Sequence, residues 1–188
     1  TDSDGNKINF TDVPVGPDGK VTIPVDDLPA GDYDVTVDYS GDDNYNATSG
    51  TGSFSVDKID PSMDVNTTDI SYGENETISI TLPEDATGTV NVTVTDSDGN
   101  KINFTDVPVG PDGKVTIPVE NLPAGDYDVS VDYSGDNNYN PATGTGSFTV
   151  GKSVPDMDVN TSDIDYNETE NIVITLPEDA TGTVNVTV

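Results

Sequence analysis

The 25 residues Thr1–Val25, TDSDGNKINFTDVPVGPDGKVTIPV, recur letter for letter at Thr95–Val119. The offset of 94 is half of the 188-residue chain, and most of the remaining positions also match between the two halves. Self-similarity at a fixed period marks an architecture of repeated units, each a small structure in its own right. Any fold for this chain must therefore serve twice. The least alike stretch is Asp57–Ser62 against Gly151–Asp156, where charge, Gly and Pro read as a linker. This places a complete unit at 62–150, between linkers at 58–61 and 151–155. Residues 1–57 then read as the C-terminal part of a preceding unit, and 156–188 as the N-terminal part of a following one. A chain that starts and stops inside a unit reads as a window on something longer. The two outer parts are also complementary: 156–188 of one copy followed by 1–57 of the next would make one unit, a head-to-tail arrangement that leads to a filament.

The period inside the unit is two. Ile78, Ile80 and Leu82 alternate with polar residues, as do Val90, Val92 and Val94. Ile102/Phe104, Val115/Ile117/Val119, Tyr127/Val129/Val131/Tyr133 and Phe148/Val150 follow, with a short opening strand at Met63–Val65. Each has one apolar and one polar face, as a half-buried antiparallel strand requires. Asp98-Gly99, Pro111-Asp112-Gly113, Pro123-Ala124-Gly125 and Ser134-Gly135-Asp136 supply the turns between them. Disorder is the competing reading of so acidic a chain. Composition favours strands over helices: Val and Ile total 35 against 4 Leu and 6 Ala, and β-branched side chains suit a pleated surface. About seven short strands per unit predict an all-β fold, with tandem immunoglobulin-like β-sandwich repeats in a head-to-tail array. Tyr127, and its copy Tyr33, each follow a Leu-Pro-Ala-Gly-Asp turn. That position predicts a tyrosine corner, the hydroxyl bonding back to nearby backbone.

The segments Pro83–Val94 and Pro177–Val188, Leu122–Val129, Val131–Asn140 and Gly144–Val150 carry a family likeness. Together the unit resembles the bacterial/archaeal Ig-like repeats (group 3 type) of adhesin-like surface proteins, most strongly those of methanogenic archaea. The resemblance implies a secreted, surface-attached array, extracellular and at the cell surface, that shares a scaffold and not a catalytic site.

Charge and chemistry narrow the function. Asp and Glu number 36 against 6 Lys, for a net charge of −30. That excludes a basic nucleic-acid footprint, and no apolar run reaches the length of a membrane span, so this segment is not expected to insert. His and Cys are absent, which removes the usual general bases, thiol nucleophiles and zinc ligands. The chain is read as a non-catalytic repeat that sets the length of a surface fibre or stalk. The alternative is an adhesive module that recognises a glycan or a partner cell through its loops. Tyr45 and Tyr139, in polar loops, are the candidate stacking rings; plugging the end of the sandwich is the other reading. Asn9, Asn46, Asn66, Asn75, Asn91, Asn103, Asn160, Asn167 and Asn185 stand in Asn-x-Ser/Thr sequons, candidates for N-linked glycans. Asp57, Asp60, Asp64 and Asp69 lie close in sequence at a junction and are the candidate Ca²⁺ ligands. The half-loops Asp2–Asn6 and Asp96–Asn100 are weaker candidates, being also hairpin turns. Lys58 and Lys152 are expected to pair with neighbouring Asp at the junctions.

Overall fold

The computed structural model describes residues 1–2 and 5–188. Among them are β1 (Gly31–Tyr39), β2 (Thr48–Val56), β3 (Asp64–Asn66), β4 (Ile70–Ser71), β5 (Glu76–Thr81), β6 (Thr89–Asp96), β7 (Lys101–Pro108), β8 (Lys114–Val119), β9 (Gly125–Tyr133), β10 (Ala142–Gly151), β11 (Asp158–Asn160) and β12 (Val173–Thr175). No helix occurs among the described residues. The fold is all-β.

Strands β3 to β10 make an Ig-like sandwich. One sheet has the order β3-β5-β8 and the other β4-β10-β9-β6-β7. All pairings are antiparallel except β4 on β10. Period-two patterning decides what is inside. Ile78 and Ile80 of β5 face Ile117 and Val115 of β8 in register, and Val92 and Val94 of β6 face Val131 and Val129 of β9. All of these are buried, and burial of each such side chain contributes roughly 1.5–3 kcal/mol. Tyr127 stacks on Phe148 at 5.2 Å between ring centroids, and its hydroxyl donates to the Pro123 carbonyl at 2.9 Å.

The unit has eight strands rather than about seven, because the opening strand is split between the sheets. Residues 67–69 turn the corner. Thr67 Oγ1 donates to the Ser147 carbonyl at 2.7 Å, and the Thr68 N–H to Glu76 Oε1 at 2.9 Å. Asp69 Oδ1 accepts the Thr149 N–H at 2.8 Å. Glu76 is buried; the Thr68 bond is what makes a carboxylate tolerable there. Where β3 passes over β10, the crossing is close. A Cβ on Gly144 would lie 2.9 Å from Val65 Cγ2, and one on Gly146 3.1 Å from Val65 Cγ1. The Gly-Thr-Gly of β10 is thus a consequence of the opening strand's path.

The outer segments repeat pieces of this arrangement. β1 pairs with β2 as β9 does with β10, Tyr33 standing opposite Phe54 as Tyr127 does opposite Phe148. β11 pairs with β12 as β3 does with β5. Residues 5–30, however, form no strand, although their sequence up to Val25 is that of β7 and β8. In the complete unit β7 pairs with β6 and β8 with β5, and the positions corresponding to β5 and most of β6 fall before Thr1. A strand needs its partner's backbone groups. The same absence shows in exposure: Val37 is 58% exposed where its counterpart Val131 is fully buried, and Phe54 is 43% exposed against 3% for Phe148.

Candidate functional site at the unit junction

The loop between β9 and β10, Ser134–Pro141, is organised by one carboxylate. Asp136 Oδ1 accepts the N–H groups of Asn138 and Tyr139, both at 2.8 Å. Its Oδ2 accepts the Thr87 N–H at 2.7 Å and the Thr87 hydroxyl at 3.0 Å. Partial burial alone would push this carboxyl up, but the bonds from Thr87, Tyr139 and Asn138 outweigh it and hold the group down at about 2. An Asx-type turn of this kind closes the loop on itself. Tyr133, beneath it, donates to the Thr87 carbonyl at 2.8 Å, and burial together with the nearby Asp136 pushes its phenol up.

The segment at Lys58–Asp60 lies along this loop. Ile59 and Tyr139 form a parallel bridge. The Ile59 N–H donates to the Asn138 carbonyl at 3.1 Å, and the Asn140 N–H to the Ile59 carbonyl at 2.9 Å. Asn140 Nδ2 donates to Asp60 Oδ1 at 2.8 Å, and Lys58 Nζ to the Asp136 carbonyl at 2.5 Å. Lys58 thus bonds a backbone oxygen here and not the neighbouring carboxylate its position predicts. The turn of the first copy reaches the same loop: the Ala30 N–H donates to Asn138 Oδ1 at 3.0 Å.

The sequence-predicted residues separate at this site. Tyr139 is 8% exposed, its hydroxyl donating to Asp85 Oδ1 at 2.6 Å, so it plugs the sandwich end and offers no open ring face. Tyr45 is 70% exposed. The Asp57, Asp60, Asp64 and Asp69 carboxylates are not brought together: Asp60 is taken by Asn140 and Asp69 by Thr149. Among the described residues no three acidic side chains gather as a metal ion would need. Asp96, in one of the two half-loops, holds its own turn through Asn100 and Asp98; its copy at Asp2–Asn6 falls partly outside the described residues. All nine sequon asparagines are exposed. Asn91 Oδ1 also accepts the Asp106 N–H at 2.8 Å across the register shift between β6 and β7, and Asn103 Oδ1 accepts the Thr93 hydroxyl at 3.0 Å. Tyr33 makes the same back-bond as Tyr127, to Pro29 at 2.8 Å.

The sequence places Asp136 in a turn, but the part its carboxylate plays in holding the loop, and the contact made by the Asn138 side chain, are not legible in it. The signal present was Asp-x-Asn after Ser-Gly, a turn former whose acceptors serve the local backbone. The bridge that Ile59 makes to Tyr139 is equally illegible, since a single bridge leaves no alternation to find.

The exposed faces of the β9–β10 and β1–β2 pairs share one kind of contact. Asp126 accepts the Thr149 hydroxyl at 2.9 Å, and in the first copy Asp32 and Asp38 accept Ser55 and Ser49, each at 2.7 Å. Carboxylates on one strand are thus met by hydroxyls on the next, and not by each other. An open depression of about 580 Å³ on the β9–β10 face is lined by residues such as Thr95, Asp128, Ser130 and Thr145. No curated protein matches the chain. Residues 63–151, the span of the eight-stranded sandwich, match the family model of the bacterial Ig-like domain (group 3).

Proposed function

We propose that this chain is a non-catalytic structural segment of an extracellular, adhesin-like surface protein, in which repeated Ig-like units set the length of a fibre or stalk. The observation that carries the reading is the unit itself, a sandwich whose interior is filled by apolar side chains from both sheets, as suits a scaffold. The repeat supplies the second support, since near-identical units lengthen an object without adding a new activity. Net charge of −30 favours an extended, soluble fibre through self-repulsion. The exposure of all nine sequons suits N-linked glycans on its surface. Where residues like 156–188 are followed by residues like 1–57, in one chain or from a neighbouring copy, the two halves close one more sandwich. Small-angle scattering on a chain of several repeats tests the reading. A rod-like profile lengthening with repeat number is expected; a globular profile overturns it.

A second reading is an adhesive module that binds through its inter-strand loops, with the Tyr45 ring of the Asp42–Asn46 loop as the candidate contact. A glycan-array screen with Tyr45→Ala as control tests it. Binding lost in the variant would support adhesion, and no Tyr45-dependent binding would retire it.

A further inference from the structure

We propose that the β9–β10 loop is a preformed seat for the exit end of the preceding unit, so that successive units are clasped head-to-tail at a fixed angle. The proposal rests on the reading of the chain as a repeat array and names the contact surface within it. The receiving side is Asp136–Asn140. The giving side has two parts, the Pro29-Ala30 turn and the Lys58–Asp60 segment. Five hydrogen bonds cross between them, two wholly backbone to backbone.

Three observations argue that this is a built seat and not a chance contact. First, the loop holds its shape by itself. In the first copy Asp42 makes the same turn, accepting the Asn44 and Tyr45 N–H groups at 2.7 and 2.8 Å, with no segment bridged to it among the described residues. A seat that is already ordered loses little entropy when filled. Second, giver and receiver stand at opposite ends of one unit. β9 runs from the Leu122–Gly125 turn to the Ser134–Pro141 loop, and Ala124 and Lys152 are the counterparts of Ala30 and Lys58. Each unit therefore carries a receiving end and a giving end, which defines polarity. Third, the bridging bonds of Ile59 use its backbone. The second linker has Ser153 and Val154 where the first has Ile59 and Asp60, a change that backbone pairing tolerates, while the lysine is kept.

The Asp42–Asn46 loop has the receiver's residues except for Asp43 in place of Asn137, and the structure assigns it the same occupant: an exit segment with a lysine two residues after the last strand. On this view Tyr45 is a junction residue like Tyr139, and not a sugar platform.

Amide hydrogen exchange on the 188-residue chain tests the clasp. The Ile59 and Asn140 amides should exchange at least about tenfold more slowly than in an unstructured peptide. Asn138→Ala should speed exchange at Ala30 about tenfold, with the Val131 amide unchanged as a control for folding. Unstructured rates at Ile59 and Asn140, with Val131 still protected, would overturn the proposal. Adding one further repeat before Thr1 should slow the Asn46 amide as Asn140 is slowed; no change there removes the extension to the Tyr45 loop. A failed stalk reading would show in scattering alone and leave these rates as they are, so the two failures are separable.

Discussion

The Tyr139 hydroxyl donates to the Asp85 carboxylate across 2.6 Å, joining residues 54 apart in the chain. The bond pins the β9–β10 loop to the turn that precedes β6. It also pushes the phenol up, with desolvation adding to the effect. Tyr139→Phe keeps the ring and removes the bond, and should lower stability by about 1 kcal/mol. A urea titration followed by circular dichroism would read it. Tyr45→Phe, at an exposed ring, should leave the midpoint in place.

The repeat supplies its own controls for backbone crowding. Gly144→Val would drive a Cβ to within 2.9 Å of Val65 Cγ2 and 3.0 Å of Met63 Cε. Met63 can swing away, but Val65 is stiff, so β3 must shift at a cost of about 1–3 kcal/mol. Gly50 is the counterpart in the first copy and meets nothing within 4 Å. Gly50→Val should change stability by less than about 0.5 kcal/mol. Equal effects of the two substitutions would mean that β3 does not pack over Gly144.

Acid should loosen the receiving loop. Asp136 is held at about 2 in the folded chain, below the ordinary carboxylate value of about 3.9. Its contribution is therefore complete above about pH 4 and is lost as pH falls toward 2. Protonation elsewhere lowers the net negative charge and works the other way, so the informative quantity is a difference. The gap in urea midpoint between the wild type and Asp136→Asn should narrow as pH falls from about 5 to about 2. A gap that stays constant would show that the ionised form is not what the loop holds.

Tyr127→Phe isolates the corner. The stack on Phe148 survives while the 2.9 Å bond to Pro123 is lost. Thermal unfolding should show a loss of about 1 kcal/mol, smaller than the roughly 3–5 kcal/mol expected for Tyr127→Ala, taken like Phe→Ala.

Alternation made most of the sandwich legible. Ile78/Ile80, Val90/Val92/Val94 and Val129/Val131 each announce a strand and its inward face, since a period of two can be read locally. The split opening strand could not be read that way. Thr67 and Asp69 have no apolar period, and their partners Ser147 and Thr149 lie 80 residues away. The buried Glu76 hides for the same reason: its acceptor role depends on Thr68, across a corner that only the fold creates. Tyr139 and Tyr45 sit in matching sequence contexts, and what buries one of them is Asp85 and Ile59, distant residues. The same holds for the acidic cluster Asp57, Asp60, Asp64 and Asp69. Closeness along the chain did not become closeness in space, because a corner and a bridge pull the side chains to separate partners.

β5 pairs in register with β8 although β6 and β7 come between them in the chain. The smaller sheet therefore closes only through a contact distant in sequence, and a topology rich in such contacts folds slowly for its size. An edge left open during that interval is a place where a wrong strand can pair.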